Sequence, residues 1–390
     1  MASQRAYLDH NATAPVRPEV ATAVAEALAY LGNPSSVHAE GRRARAAIER
    51  ARDQVAALVG ARPGEVTFTS GGTEANNAAL RPGALARAGC PASRLAALAT
   101  DHPSAQFGHG FPPDSVSIVP VEPSGEVDLR TLASILDRHP NEITLVSMAL
   151  ANSETGVMPN VAAVAQTVKA RGGLLHVDAV QGAGRVPVDM RRLGADALTL
   201  SGHKFGGPPG SGALVVAAGC EGPLPSLHRG GAQEMGRRAG TENGPAIVGF
   251  GLAAEIAAGN LASEGVRLRR LRDRAEAEIL RTSPDAVVFG QGVERLPNTL
   301  AFASPDVPAE TALIALDLDG VAVSSGSACS SGKVGRSHVL AAMGVPANLA
   351  AGAIRVSFGW SSRDEDVVRF LRAYETCVQR LYERRRARAA

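Results

Sequence analysis

Residues 173–181 read GLLHVDAVQ, and residues 195–204 read ADALTLSGHK. Each is a short apolar run that stops on polar residues: Asp178 and Gln181 in the first, Ser201, His203 and Lys204 in the second. Runs without polar alternation suit strands buried on both faces, as in a parallel sheet. EVTFTS (65–70), ITLVSMALAN (143–152) and GALVVAAG (212–219) have the same texture. Helical patterns accompany them, such as RPEVATAVAEALAYLG (17–32) and EGRRARAAIERARDQVAALVG (40–60), each ended by a glycine, Gly32 or Gly60. This alternation predicts an α/β fold with a mainly parallel sheet between helices on both faces. Ligands in such sheets bind beyond the carboxyl ends of the strands, where Asp178 and Lys204 both fall.

After about residue 258 the texture changes. A charged helical stretch, EGVRLRRLRDRAEAEILRTS (264–283), leads to the strand patterns AVVFG (286–290), NTLAFAS (298–304) and GAIRVSFG (352–359). We expect a large ligand-binding domain over 16–258 and a smaller α+β domain from 1–15 and 259–390, which carries a glycine- and serine-rich segment at about 324–337. The 390 residues suffice for both. With 45% hydrophobic and 20% charged residues the composition is that of a globular protein, and a net charge of +2 argues against a polyanion-binding surface. The first residues, MASQRAYLDHNATAP, lack the apolar core of a signal peptide, and no apolar run approaches the ~20 residues of a membrane span. Four widely spaced cysteines fit a reducing compartment. The expectation is a soluble cytoplasmic protein.

Several stretches carry chemistry. A lysine in a turn such as SGHKFGGPPGSG (201–212) is ordinarily a solvated charge. Placed in one sheet with Asp178, Lys204 meets the requirement of pyridoxal phosphate: an amine able to condense with the aldehyde, and a carboxylate for the pyridinium nitrogen. VTFTSGGTEANN (66–77) offers a phosphate site, with a strand feeding Gly71 and Gly72 and Thr73 opening a helix. VAVSSGSACSSGKVGRSH (321–338) puts Cys329 on a backbone too flexible for a packing cysteine. His176, inside its strand, reads as a core histidine; Cys377 lies on the apolar stripe of the last helix, while Cys90 and Cys220 lie in loop-like stretches.

YLDHNATAP (7–15), GNPSSVH (32–38), FTSGGTEANN (68–77), ANSETGV (151–157), HVDAVQ (176–181), SGHKFGGPPGSG, RRAGTEN (237–243), SSGSACSSG (324–332) and IRVSFG (354–359) together resemble the NifS/IscS-type cysteine desulfurases, pyridoxal phosphate enzymes of fold type I in the class V aminotransferase group. The resemblance is collinear from Tyr7 to about Trp360 and points to the subgroup with a long cysteine loop. It implies that Lys204 holds the cofactor and moves protons, that Asp178 keeps the pyridine nitrogen protonated, that Gln181 bonds the ring hydroxyl, and that His102 stacks on the ring. Gly72, Thr73, Ser201 and His203 would bind phosphate, joined by Thr241 from the other subunit of a homodimer. Arg355 would grip the carboxylate of L-cysteine with help from Asn152, which would also border the cofactor. Cys329 would take the sulfur as a persulfide, leaving L-alanine, and pass it to an acceptor protein for iron–sulfur cluster assembly or a related transfer, with no metal in the site. Lys333, Arg336 and His338 would favour its thiolate.

Two departures from the family pattern stand out. Ser153 occupies a position where a second asparagine is common, and the carboxyl end, RLYERRRARAA, lacks the longer tail with which the IscS branch docks its scaffold, so that partner is not carried over. A selenocysteine lyase or another lyase or transaminase of the same fold would not need Cys329, and a non-catalytic sulfur-assembly scaffold would not need Lys204, Asp178 and His102.

Overall fold

The computed structural model describes residues 5–30, 32–222, 226–305, 307–325 and 337–389. In chain order its strands are β1 Ala6–Tyr7, β2 Val66–Thr69, β3 Ala86–Arg87, β4 Cys90–Leu98, β5 Val116–Val119, β6 Ile143–Ala149, β7 Leu174–Asp178, β8 Ala197–Ser201, β9 Gly212–Val216, β10 Val287–Val288, β11 Thr299–Ala303, β12 Val321–Ala322, β13 Ser324–Ser325 and β14 Ile354–Ser357. The large sheet runs β2-β9-β8-β7-β6-β4-β3, with β5 also on β4. Its centre, β5 through β4, β6 and β7 to β8, is parallel, while β9, β2 and β3 pair antiparallel. Every residue of β2, β7 and β8 is buried, which accounts for their lack of polar alternation. β6 and β7 end level, Ala149 opposite Asp178, while β8 runs two residues past Thr199, the partner of Asp178, to Ser201. That register sets Asp178 at the carboxyl edge.

Three strands of this sheet, β3, β4 and β5, had no sequence expectation. CPASRLAAL is rich in alanine and contains proline, a poor intrinsic strand former. It is held extended by partners on both sides, β6 and β5. Cys90 therefore begins a strand rather than a loop, although it remains exposed.

A second sheet, β10-β11-β14-β13, is antiparallel, and β1 pairs with β12 in parallel. Ala6 and Leu8 join its core with Phe302, Val356, Phe370 and Tyr374, and Cys377 is buried there. The helix Gly244–Thr282 links the two cores. Asn243 caps it, accepting from Ala246 N at 3.3 Å. Ile247, Phe250 and Ala257 face the large sheet's core, and Leu268, Leu271, Ala275 and Ile279 face the second. The helix passes unbroken through position 258, where the sequence changes texture. Among the described residues this one helix is long and apolar enough to cross a membrane, yet those side chains are spent on protein contacts.

The approach to this helix is strained. Glu234 and Met235 have φ of 49° and 59°, a left-handed backbone that costs non-glycine residues about 1–3 kcal/mol each. The buried Glu234 carboxylate offsets this by accepting from Arg52 Nη1 at 2.7 Å, Arg52 Nη2 at 2.9 Å and Phe68 N at 2.8 Å. Arg52 also lies over the Phe68 ring, 4.8 Å from its centre. Glu234→Ala leaves the buried Arg52 guanidinium with only the half-exposed Glu49 and the Val66 carbonyl, so the predicted loss is about 3 kcal/mol of stability, read from denaturant unfolding. A loss under 1 kcal/mol would show that this clamp does not hold the segment.

Candidate active site

A cavity of about 380 Å³ opens at the carboxyl ends of β6–β8. Lys204 enters it from the single turn Gly202–Lys204 that follows β8, and its Nζ donates to the carbonyls of Asn11 at 2.6 Å and Ala12 at 2.9 Å. Asp178, at the end of β7, accepts from Asn76 Nδ2 at 2.8 Å and from Val180 N at 3.0 Å. Asn76 also donates to Ser104 Oγ at 2.9 Å, and its own buried Oδ1 has no hydrogen-bond partner among the described residues. His102 precedes the short helix Pro103–Gln106, and its Nδ1 accepts from Ser104 N at 3.1 Å. In the neutral ring the proton therefore sits on Nε2. Burial holds His102 below the usual histidine range, so the neutral ring dominates at pH 7.

The phosphate-type residues gather at one end. Gly72 opens the helix Gly72–Ala79 beneath the wall, where a Cβ would come within 2.8 Å of Val180 Cγ2. Thr73, Ser201 and His203 line the same cavity. Burial, with the Lys204 and Arg185 charges nearby, depresses His203 to about 4, so it is neutral and its Nδ1 meets Thr13 Oγ1 at 3.1 Å. His176 lies in the sheet interior between Ser147 Oγ at 3.3 Å and Thr199 Oγ1 at 2.9 Å, a satisfied core histidine.

Arg355, from β14, also lines the cavity and is 2% exposed. Its Nη2 donates to Asp9 Oδ1 at 2.7 Å and its Nη1 to the Ser153 carbonyl at 3.1 Å, while its buried Nε has no hydrogen-bond partner among the described residues. Asn152 lines the cavity too, but its amide is already engaged: Nδ2 donates to the Thr100 carbonyl at 3.0 Å and Oδ1 accepts from Glu154 N, Thr155 N and Thr155 Oγ1. In this chain it shapes the turn that carries Ser153. Thr241 is exposed and does not line the cavity of its own chain. Cys329, Lys333 and Arg336 lie outside the described residues. His338 donates from Nε2 to the Asp101 carbonyl at 3.0 Å.

Sequence reasoning missed the supports. Arg185, 6% exposed, donates to the carbonyls of His10 at 2.9 Å and Lys204 at 3.0 Å, to Asn11 Oδ1 at 3.0 Å and to Gln181 Oε1. Gln181 in turn donates to the Asn11 carbonyl at 3.1 Å. Burial and the nearby Arg355 pull Arg185 down to about 9, still charged at neutral pH. Glu154 is buried as well, pushed up to about 7 by desolvation despite the Ser337 hydroxyl and the Arg355 charge. Glu154 lies inside the ANSETGV motif without its role being read there, and no local pattern marks Arg185.

The class V aminotransferase model matches residues 6–370, and the chain belongs to that family. Among its relatives a cysteine desulfurase of Sinorhizobium fredii is 41% identical over 97% of this chain and 98% of its own. A solved NifS-like protein from Rickettsia africae superposes with a TM-score of 0.85 at 32% identity, covering 96% of this chain and 100% of that one. A second structure, SspA in complex with cysteine, gives a TM-score of 0.76 at 27% identity over 90% and 98% of the two chains. The fold is the type I arrangement of the pyridoxal phosphate enzymes, and members of this family work with that cofactor. The residues present fit it. A lysine, a carboxylate at a strand end, a histidine, a helix start and hydroxyl groups converge on one cavity, and Asn76 Oδ1 and Arg355 Nε are buried polar atoms of its lining residues without partners among the described residues.

Glu154 generates a pH prediction. Its folded pKa lies above the unfolded value, so between roughly pH 4.5 and 7 the folded chain binds more protons and loses stability as pH rises. Glu154→Gln removes that loss. Relative to the unsubstituted protein, its unfolding free energy should improve from pH 5 to pH 8 by up to about 3 kcal/mol. A difference that stays constant, or worsens with rising pH, would contradict the assignment.

Proposed function

We propose that the protein is a pyridoxal phosphate-dependent cysteine desulfurase, which converts L-cysteine to L-alanine and stores the sulfur as a persulfide on Cys329. The observation that carries this is the meeting of Lys204, Asp178 and His102 with Arg355 in one cavity, beside the points where the Cys329 segment leaves and rejoins the described chain. When bound, the cofactor supplies an aldehyde for the substrate amine and a ring that accepts electrons from the substrate Cα. Lys204 anchors it and moves the proton at Cα. Asp178, steadied by Asn76, keeps a proton on the ring nitrogen, and Gln181 bonds the ring hydroxyl. His102 covers the ring face, while Gly72, Thr73, Ser201 and His203 hold the phosphate. Arg355 binds the substrate carboxylate, and Asn152 holds the Ser153 turn against it. Cys329 loses its proton and bonds the substrate sulfur as the carbon–sulfur bond breaks. A thiol plus cysteine becomes a persulfide plus alanine, so no external oxidant is required.

The large domain, 16–258, then binds the cofactor, and 1–15 with 259–390 forms a smaller domain that brings Arg355 and Cys329. Thr241 completes the phosphate site of a second copy, which makes the working protein a homodimer. Its exposure outside its own cavity supports this, as do the exposed Phe107 and Met235. The persulfide passes to an acceptor protein, for iron–sulfur assembly or a related transfer in the cytoplasm. Sedimentation should give a dimer; a fully active monomer would rule out the shared site.

The decisive variant is Cys329→Ser, which replaces a sulfur nucleophile with a hydroxyl that stays protonated at neutral pH. It should retain the cofactor's colour and still change its spectrum with L-cysteine, form no protein persulfide and release alanine near background. Normal alanine release would make the thiol a bystander and favour a lyase.

A further inference from the structure

Cys329 lies between two described points, Ser324 five residues before it and Ser337 eight residues after it. Each is tied to a carboxylate: Asp9 pairs with the Arg355 guanidinium, and Glu154 follows Ser153, whose carbonyl that guanidinium also bonds. Ser324 Oγ donates to Asp9 Oδ2 at 3.2 Å, while Asp9 Oδ1 takes Arg355 Nη2 at 2.7 Å. Ser324 is also the cross-strand partner of Arg355. On the other side Ser337 Oγ donates to Glu154 Oε2 at 2.5 Å and caps the helix His338–Ala342 by accepting from Leu340 N. Glu154 adjoins Ser153, whose carbonyl receives Arg355 Nη1, and it feels the Arg355 charge.

Arg355 thus serves two internal acceptors before any ligand arrives. A ligand carboxylate reaching it competes with Asp9 for Nη2 and offsets the positive charge that Glu154 faces. Either change alters a group that also holds one end of the Cys329 segment. We propose that Asp9 and Glu154 are positioning residues that couple carboxylate binding at Arg355 to the chain at Ser324 and Ser337. The coupling rests on the reading of Arg355 and Cys329 given above. It ties sulfur transfer to the presence of an α-carboxylate, and so selects amino acids over simple thiol amines.

The test uses the full-length protein with its cofactor. L-Alanine, which has the carboxylate and lacks the thiol, is titrated through the change it causes in cofactor absorbance. Persulfide formation with L-cysteine is followed in a single turnover by intact mass. Asp9→Asn removes the competing charge, so L-alanine should bind about fivefold more tightly while persulfide formation slows about fivefold or more, the low end of typical coupling. Ser324→Ala, which deletes only the hydroxyl tie, should slow persulfide formation and leave L-alanine binding within about twofold. Glu154→Ala should act like Ser324→Ala, and Glu154→Gln, which keeps an acceptor oxygen for Ser337 but no charge to answer Arg355, should recover only part of the rate. A purely structural lesion would weaken binding and transfer together, so that result in Asp9→Asn, or unchanged persulfide rates in Ser324→Ala and Glu154→Ala, would overturn the proposal. Arg355→Ala binding L-alanine as tightly as the unsubstituted chain would instead show that the carboxylate site itself is misplaced, and the coupling would fall with it.

Discussion

A buried guanidinium holds the two halves of this site together. Arg185 leaves the chain just after β7, and its hydrogen bonds reach the turn after β7, the turn after β8 and the segment that follows β1. Burying such a group is costly unless its donors are satisfied, and here four residues accept from it. One of them, Asn11, extends the connection: its Nδ2 donates to the Ser153 carbonyl at 3.1 Å and to Thr299 Oγ1 at 3.0 Å. Lys204 then rests on the carbonyls of Asn11 and Ala12. The lysine end and the Arg355 end of the cavity are positioned by one polar junction.

The same junction joins the large sheet to the second one. Thr299 stands on β11, opposite Ser357 of β14, and Ser357 Oγ accepts from Asn11 N at 2.9 Å. β14 carries Arg355 two residues earlier, and the helix Gly244–Thr282 spans both cores with a single rigid element. Groups acting on different parts of one substrate must be held to within a fraction of an ångström. Here that demand is met by one buried side chain, Arg185, whose donors are spread over three backbone segments, and by the short Asn11 amide beside it.

Much of this was legible in the sequence. The fully buried runs gave themselves away by lacking polar alternation, and their polar ends placed Asp178, Gln181, Ser201, His203 and Lys204 at one edge. β4 and β5 were not legible, because an alanine-rich strand is made by its neighbours. The helix crosses residue 258, where the texture changes, without a break, with Ala257 in one core and Leu268 in the other, since both faces it meets are apolar. Asn152 shows a different limit: its position in the cavity followed from its motif, while the engagement of its amide by Thr100, Glu154 and Thr155 needs coordinates. Arg185 acts through partners far away in the chain, and its local sequence resembles that of any surface charge; Asp9 and Glu154 lie inside YLDHNATAP and ANSETGV, but their ties to Ser324 and Ser337 need coordinates.

The central claim is that sulfur leaves cysteine for one particular thiol. The direct measurement mixes the cofactor-loaded protein with L-cysteine labelled isotopically in its sulfur, then locates the label by peptide mass spectrometry and counts the alanine released. The account predicts labelled persulfide on the peptide that contains Cys329, with one alanine for each sulfur bound in the first turnover. Label on Cys90 or Cys220 instead, or alanine released with no sulfur on the protein, would contradict it.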